Sequence, residues 1–238
     1  MKLISALPIL LVGFFSDSVL AGGKRSSSRS SSSSSSSSGE ETITLRVTNL
    51  SVRQPMSPFF IMTHDDSIAP LFTFGSPSSE PLALLAENGD PGPLVELYEG
   101  EDGVGEAFVF ARNPPYGGSV EGGGPNAFNI EIPYDSRYPY ITIASMFINT
   151  NDCFLAINGM KLSRGDVLYL PGLDSGTEVN NELCNSIPGP ACAGIDGGNE
   201  RSGDGEGFVH VHQGFFGIGD LADGRYDWRN PMAQVIVM

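Results

Sequence analysis

The sequence predicts a mostly β protein, an antiparallel β-sandwich with one or two short helices. Residues 42–48 alternate between polar and apolar side chains, as a half-buried strand does. Many short strand-like segments are separated by connections rich in glycine and proline, of which the chain has 30 and 17, and this pattern is typical of a sandwich. There is neither an internal repeat nor the strand–helix alternation of a parallel sheet. Further strands are predicted at residues 108–111, 127–132, 140–148, 167–170, 207–211 and 233–237.

Two short helices are predicted, one directly after the other. The first covers residues 79–87, because Ser78 or Ser79 can cap its first turn with a side-chain oxygen. The second covers residues 93–98. Between them, Asn88-Gly89-Asp90-Pro91-Gly92 combines the residue types that favour tight turns.

The N-terminal residues predict secretion. Lys2 precedes an apolar stretch at residues 3–15, and Val19-Leu20-Ala21 places small residues where a signal peptidase cleaves. Residues 1–21 therefore resemble a signal peptide. The stretch is too short and too interrupted for a transmembrane helix, which needs about 20 apolar residues, and no second segment of that length follows. The protein is expected outside the cell or at the cell surface, with no transmembrane segment.

A serine-rich segment separates the predicted signal peptide from the predicted folded part. Residues 22–41 contain a serine tract that is broken only by Arg29. Such a segment buries no apolar surface to offset its chain entropy, so it is expected to be a disordered linker. A glycosylated or phosphorylated stalk is the alternative interpretation. Residues 42–238 are predicted to form one domain with a sizeable core.

The charge of the chain limits the classes of partner. The formal net charge is −15, so the basic surface that a phosphate backbone requires is absent, which excludes nucleic acid as a partner. Binding to an anionic membrane through charge alone is equally disfavoured. An excess of acidic groups favours divalent cations and basic partners.

Two short acidic segments predict a cation site. Asp152 lies in the first segment, and Asp174 and Glu178 lie in the second, where Gly176 allows a sharp turn. Each segment places a carboxylate at the predicted end of a strand. Three carboxylates that converge from two loops repel one another unless a cation lies between them, and Ca²⁺ is a hard ion that suits oxygen ligands. The alternative is that these are ordinary polar loop residues.

The histidines allow a different kind of site. His210 and His212 flank Val211 in a predicted strand, so both side chains point to the same face. Two histidines on one face fit a transition-metal or catalytic site, although hydrogen-bonded packing on the strand surface is the favoured interpretation and no third ligand is nominated. The acidic segment 196–206 lacks EF-hand spacing, so it is interpreted as a mobile hairpin tip.

No enzymatic activity is predicted from sequence motifs. The Gly-x-Ser-x-Gly elbow, the His-Glu-x-x-His motif and the phosphate-binding glycine loop are all absent from the sequence. The acidic segments and the histidines are therefore the candidate functional groups.

Three cysteines in a chain that is predicted to be secreted leave one cysteine unpaired. Cys184 and Cys192 enclose a short loop rich in proline and glycine, and a disulfide between them would stabilise the fold by roughly 2–3 kcal/mol. Cys153 would then be a buried free thiol. The alternative pairing of Cys153 with Cys184 stays open, because Cys184 follows soon after the second acidic segment.

Seven short segments form an ordered pattern across residues 42–238. They are Thr48-Asn49-Leu50, Gln54-Pro55-Met56-Ser57-Pro58, Thr63-His64-Asp65, Ile148-Asn149-Thr150-Asn151-Asp152, Leu173-Asp174-Ser175-Gly176-Thr177-Glu178, Gly219-Asp220-Leu221 and Asp227-Trp228-Arg229-Asn230-Pro231. In this order they resemble the spondin N-terminal domain as it occurs in stand-alone microbial proteins. No one segment is diagnostic, but their order is fairly specific.

The resemblance implies a C2-like β-sandwich outside the cell that holds one Ca²⁺ at loops on one end. In animal spondins such as F-spondin and mindin, the domain belongs to matrix and adhesion proteins. The metal-binding segments of the family correspond to Asp152, Asp174 and Glu178 in this chain. The chain departs from the family in two places: Phe154 follows Cys153 where a Trp would directly follow the Asp, and Glu178 replaces an Asp, which changes the reach of the carboxylate.

The leading functional hypothesis is a secreted Ca²⁺-binding β-sandwich module that mediates adhesion or contacts with the extracellular matrix or the cell surface, without catalysis. Its partner would be an extracellular protein or glycan. One alternative is a metal-dependent hydrolase that uses His210 and His212. Another is a purely structural wall or coat component, attached through the serine tract.

Overall fold

The computed structural model describes residues 41–112, 117, 125–193, 200–221 and 224–238. The predicted signal peptide, the serine tract and residues 196–199 of the acidic segment lie outside the described residues. The first described residue, Glu41, is also the first residue of a strand.

Ten strands and two α-helices form in the described residues. The strands are β1 (Glu41–Asn49), β2 (Phe59–His64), β3 (Val104–Phe110), β4 (Ala127–Tyr134), β5 (Tyr140–Met146), β6 (Cys153–Lys161), β7 (Val167–Leu170), β8 (Leu173–Asp174), β9 (His210–Val211) and β10 (Ala233–Val237). The helices are α1 (Glu80–Asn88) and α2 (Gly92–Tyr98). Short 3₁₀ turns lie at Pro190–Cys192, Gly219–Leu221 and Gly224–Tyr226.

The strands pair into two antiparallel sheets. One sheet has four strands in the order β4-β1-β10-β7, and the other has six in the order β3-β2-β5-β6-β8-β9, as far as the described residues show. At one edge of the six-stranded sheet, the two-residue strand β8 pairs with β6, and the two-residue strand β9 pairs with β8. Cys153 pairs with Asp174 there, and Asp174 pairs in turn with His210. Asp174 therefore lies between a buried cysteine and a histidine.

The main core lies between the two sheets, where apolar burial supplies the dominant stabilising term. Side chains from both sheets are fully buried in this core. They include Leu45, Val47, Ile130 and Val235 from the four-stranded sheet, and Phe59, Ile61, Ile143 and Leu155 from the six-stranded sheet.

A second core covers the opposite face of the six-stranded sheet, where α1 and α2 pack. Its members include Phe60, Met62, Ala144 and Phe154 from the strands, with Leu82, Leu85 and Leu94 from the helices. Neighbouring residues of β2 therefore point to different cores, and all six residues of this strand are buried.

The first helix begins and ends close to its predicted bounds. The Ser79 hydroxyl caps α1 by accepting a hydrogen bond from the Leu82 N–H at 3.4 Å. Gly89 ends the helix in the left-handed region, with φ of 67°, which glycine adopts without a steric cost. The predicted turn follows, and α2 begins at Gly92.

The prediction of a mostly β antiparallel sandwich with one or two short helices is confirmed. β7 and β10 match their predicted bounds. The strand predicted at residues 207–211 is wrong in length, because only His210 and Val211 pair. Gly207 has φ of 81° and donates its N–H to the Gly176 oxygen, which turns the chain away from the strand direction. β2, β6 and β8 are not predicted from the sequence.

A disulfide joins Cys184 and Cys192, whose Cα atoms are 5.2 Å apart, and Cys153 is a buried free thiol. This confirms one of the two pairings considered from the sequence and excludes the bond between Cys153 and Cys184. Burial, together with the charges of Asp174 and Asp152, raises the pKa of the Cys153 thiol well above its usual value. The thiol is therefore protonated and inert in the folded protein.

We expect one thiol per chain to be alkylated, and only after unfolding. Cys153 should resist an alkylating reagent under native conditions and should react once in denaturant, whereas Cys184 and Cys192 should react only after reduction. Intact-mass spectrometry under the three conditions measures this, and Cys153→Ala should lose the single adduct as a control. An adduct on Cys192 before reduction would contradict the observed pairing.

Candidate metal centre

Acidic side chains collect at the edge of the six-stranded sheet, near the loop that follows β8. Asp152 immediately precedes β6, Asp174 ends β8, and Glu178 lies in the loop. Asp152 and Asp174 are 0% exposed and Glu178 is 2% exposed. Because a buried charge is costly unless it is paired or hydrogen-bonded, the contacts of these three carboxylates decide what the site can bind.

One oxygen of Asp152 organises the loop after β8. Asp152 Oδ2 accepts hydrogen bonds from the Ser175 hydroxyl at 2.8 Å and from the backbone N–H groups of Thr177 and Glu178 at 2.9 and 3.2 Å. Hydrogen bonds to an ionised carboxylate are stronger than those between neutral groups. The loop is thereby held against the start of β6, and the backbone of Glu178 is fixed beside Asp152.

Asp174 and Glu178 are held by other neutral donors. Asp174 Oδ1 accepts a hydrogen bond from the Gly176 N–H at 2.8 Å, and Oδ2 accepts one from the Asn180 amide at 2.7 Å. Glu178 Oε1 accepts a hydrogen bond from the Ser202 N–H at 2.8 Å. These bonds fix the orientation of both carboxylates without neutralising their charge.

The second oxygens of Asp152 and Glu178 are buried and unpaired. Asp152 Oδ1 and Glu178 Oε2 have no hydrogen-bond partner among the described residues. A buried oxygen without a donor carries a desolvation penalty that a bound cation would offset. These two orphaned carboxylate oxygens therefore fit the oxygen-ligand chemistry of Ca²⁺.

Burial raises the pKa values of all three carboxyl groups. The pKa of Asp152 rises to about 7, through burial first and then the charge of Asp174. The pKa of Glu178 rises to about 8, through burial first and then the charges of Glu87 and Asp152. The pKa of Asp174 is raised as well, chiefly by burial. Keeping these groups ionised at neutral pH costs free energy, and nearby positive charge lowers that cost.

A second combination of groups includes Asp174. Ligand atoms of Asp174, Glu206 and His210 lie within 4.8 Å of one another, close enough to hold a metal ion. In the described part of the chain, no other three ligand atoms from His, Cys, Asp or Glu residues lie as close together. The three side chains line one cavity of about 230 Å³.

His212 is not available as the second histidine of a metal pair. Its Nε2 donates a hydrogen bond to Asn180 Oδ1 at 2.9 Å, and its Nδ1 accepts one from the Gly214 N–H at 3.0 Å. Burial, and then the charge of His210, lowers the pKa of His212 to about 3. The geometry supports one histidine with two carboxylates, rather than the two-histidine site considered from the sequence.

Two features hold the loops around the site in place. Gly176 has φ of 73°, and a Cβ at this position would lie 2.4 Å from the backbone oxygen of Phe208, so only glycine allows this close approach. The buried Glu182 carboxylate accepts hydrogen bonds from the Phe216 and Ile218 N–H groups at 2.7 Å each. The chain segments around Phe208 and Phe216 are thereby tied to the loop after β8.

The structure groups the acidic residues differently from the sequence prediction. Asp152 and Asp174 are buried beside strand ends, but the close cluster joins Asp174 to Glu206 and His210, not to Asp152 and Glu178. Ca²⁺ binding by Asp152, Asp174 and Glu178 stays a prediction. Glu206 was not predicted as a metal ligand, because its segment lacks the spacing of a known calcium loop. Its position four residues before His210 could have indicated that the two side chains meet.

No protein-family model matches the chain, and no curated protein has a significantly similar sequence. The resemblance to the spondin N-terminal domain therefore depends on the order of its motifs alone. Within the described ranges, no helix has the length and apolar character needed to cross a membrane.

Gly176→Ala should destabilise the protein and disturb the site. The left-handed backbone alone costs a non-glycine residue about 1–3 kcal/mol, and the clash with the Phe208 backbone adds to this loss. Gly165→Ala is the matched control, since Gly165 also has a positive φ, of 95°, but a Cβ added there would meet no atom within 4 Å. Urea unfolding measures both free energies, and equal losses would contradict the role assigned to the close contact.

Proposed function

We propose that the protein is an extracellular Ca²⁺-binding β-sandwich module that makes contacts through its loops and is not an enzyme. The observation that carries this proposal is the pair of buried, unpaired carboxylate oxygens, Asp152 Oδ1 and Glu178 Oε2. Hydrogen bonds from the loop to Asp152 Oδ2 fix both segments before a cation arrives. Rigid, charged oxygen ligands favour tight Ca²⁺ binding.

Asp174 is the third proposed ligand. Asp174 pairs with Cys153, the residue next to Asp152, and the Ser175 N–H donates a hydrogen bond to the Asp152 carbonyl oxygen at 3.3 Å, so the two aspartates lie on adjacent chain segments. Each Asp174 oxygen already accepts one hydrogen bond, but a carboxylate oxygen has two lone pairs, so one on each oxygen stays free for a cation. Because Ca²⁺ takes about 6–8 oxygen ligands, backbone carbonyl groups and water would complete its coordination.

Two further observations support the proposal. Asp152, Asp174 and Glu178 are the positions to which the spondin resemblance assigns the metal ligands. The Cys184–Cys192 disulfide is of a kind that persists in oxidising compartments, which agrees with the predicted signal peptide. The resemblance favours a module of the spondin N-terminal type, and the disulfide favours an extracellular location.

Exposed apolar side chains next to the acidic groups support a contact function. Val179, Phe216 and Ile218 are exposed, and they line the cavity that Asp174 also borders. Loops on a rigid scaffold commonly carry binding residues, and apolar groups rimmed by polar ones are typical of interaction surfaces. The proposed partner is an extracellular protein or glycan.

The alternatives have less support from the structure. A hydrolase that uses His210 and His212 together would need a free nitrogen on each ring, and both nitrogens of His212 are in hydrogen bonds. The wall or coat component depends on the serine tract, which lies outside the described residues.

Ca²⁺ should raise the thermal unfolding midpoint of the mature protein. A ligand that binds only the native state stabilises it by about 2.7 kcal/mol when present at 100 times its Kd. Asp152→Asn and Glu178→Gln should each remove most of this Ca²⁺-dependent shift, because each removes the charge of a carboxylate with an unpaired oxygen. Calorimetry in Ca²⁺ and in chelator measures the shift.

Matched variants separate the site from a general effect of charge. Asp204→Asn and Glu96→Gln make the same chemical changes at exposed carboxylates, and their Ca²⁺-dependent shifts should equal that of the wild type. A wild-type midpoint that does not move in saturating Ca²⁺ would rule out the site. A full shift in both Asp152→Asn and Glu178→Gln would place the ion elsewhere.

Adhesion should depend on the exposed apolar residues. A Phe216→Ser, Ile218→Ser double variant should bind less to extracellular matrix or cell surfaces from the source organism, with little change in its unfolding midpoint. Val167→Ser is the control, because Val167 is also exposed but lies in the other sheet. Fluorescently labelled protein measures the bound fraction, and equal retention of all three proteins would remove this surface from the proposal.

A further inference from the structure

Asp174, Glu206 and His210 form a mixed nitrogen and oxygen cluster that a Ca²⁺ site does not explain. We infer that these side chains make a second cation site, which is selective for a divalent transition metal such as Zn²⁺ and lies in the cavity that they line. Imidazole nitrogen is a ligand of transition metals, whereas Ca²⁺ prefers oxygen. The two proposed sites share Asp174 and have no other ligand in common.

His210 presents an unpaired nitrogen to the two carboxylates. Its Nδ1 lies 3.0 Å from the carbonyl oxygen of Val211. A carbonyl oxygen only accepts hydrogen bonds, so Nδ1 carries a proton, and in the neutral ring Nε2 then has the lone pair that a metal ion requires. Nε2 is buried and has no hydrogen-bond partner among the described residues. A histidine that donates its other ring N–H to a backbone carbonyl has the arrangement usual for a metal ligand.

The distances around Nε2 suit a cation better than a hydrogen bond. Nε2 lies 3.7 Å from Asp174 Oδ1 and 3.7 Å from Glu206 Oε2, and hydrogen bonds need separations of about 2.7–3.2 Å. A tetrahedral Zn²⁺ about 2.0–2.2 Å from its ligands separates those ligands by roughly 3.3–3.6 Å. Both separations are close to this range, and all three ligand atoms lie within 4.8 Å of one another, so side-chain movement can bring them onto one ion.

The cluster has an open side through which an ion can enter. Side-chain exposure rises from 1% for Asp174 to 22% for His210 and 40% for Glu206, so the entry path is on the side of Glu206. The cavity of about 230 Å³ beside the cluster is also lined by Asn180, Gln213 and apolar residues. Three protein ligands leave the fourth position of a tetrahedral ion open to this cavity, where water or an anionic group can bind.

Titration of the mature protein with Zn²⁺, in the presence of saturating Ca²⁺, tests the inference. Calorimetry should show one Zn²⁺ per chain, and His210→Gln and Glu206→Gln should each weaken binding by at least about tenfold. Asp204→Asn removes the same charge two residues before Glu206 and should leave the Zn²⁺ affinity unchanged. Equal affinities in the wild type, His210→Gln and Glu206→Gln would overturn the inference.

The pattern of losses distinguishes this site from the proposed Ca²⁺ site. Asp152→Asn should lose the Ca²⁺-dependent thermal shift and keep Zn²⁺ binding, and His210→Gln should show the reverse. Asp174→Asn should lose both. Loss of Zn²⁺ and Ca²⁺ together in Asp152→Asn would indicate one shared site and would overturn the second one.

Histidine NMR provides a readout that is independent of affinity. The chain has three histidines, and Zn²⁺ should shift the ring resonances of His210. Those of His64, whose nitrogens contact the Asp65 carbonyl and the Thr142 hydroxyl, should stay unchanged. A His210 ring that stays doubly protonated and does not respond to Zn²⁺ would show an ion pair with both carboxylates instead of a metal site.

Discussion

Burial of the six-stranded sheet on both faces is the constraint on which the candidate site depends. The four-stranded sheet covers one face, and α1 and α2 cover the other. The ends of β6 and β8 are therefore withdrawn from water, and Asp152 and Asp174 are withdrawn with them. In a sheet with one open face, these carboxylates would be solvated loop residues. Here they require internal donors or a cation, and the loop after β8 supplies only some of the donors.

The same two-sided burial explains why one central strand, β2, was not predicted from the sequence. β10 alternates between buried and half-buried residues, so its period of two is visible in the sequence and its bounds are predicted correctly. β2 is buried at all six positions, and its sequence of mostly apolar residues does not alternate. β8 has only two residues, too few for any periodic signal. The sandwich was therefore predictable from strands such as β1 and β10, whereas the fully buried β2 and the two-residue β8 were not predictable.

The site residues that could be predicted from the sequence are those whose positions depend on neighbouring residues in the chain. Asp152 and Asp174 follow the strands predicted at residues 140–148 and 167–170, so both were expected beside strands, although β6 and β8, which they border, were not predicted. Glu206 meets Asp174 only because β9 pairs with β8, and this short pairing depends on tertiary structure. His212 shares a face with His210 in the sequence pattern, but Asn180 and Gly214 bind both of its ring nitrogens. Hydrogen bonds between distant segments decide which polar groups stay free, and a sequence pattern does not contain them.

Charge balance at this edge of the sheet supports the proposal of two cations. Four carboxylates collect there, those of Asp152, Asp174, Glu178 and Glu206. His210 is neutral when its Nε2 binds a metal, and Arg201 compensates little of the charge, because its guanidinium is paired with Glu87 at 3.0 Å. With all four carboxylates ionised, one divalent cation would leave a net charge of about −2 in a largely buried site, which is costly, whereas the two proposed cations would leave it near neutral without protonation of Asp152 or Glu178. The carboxylate of Asp174 belongs to both sets, so it can link an ion held by oxygens on the Asp152 side to one held partly by nitrogen on the His210 side.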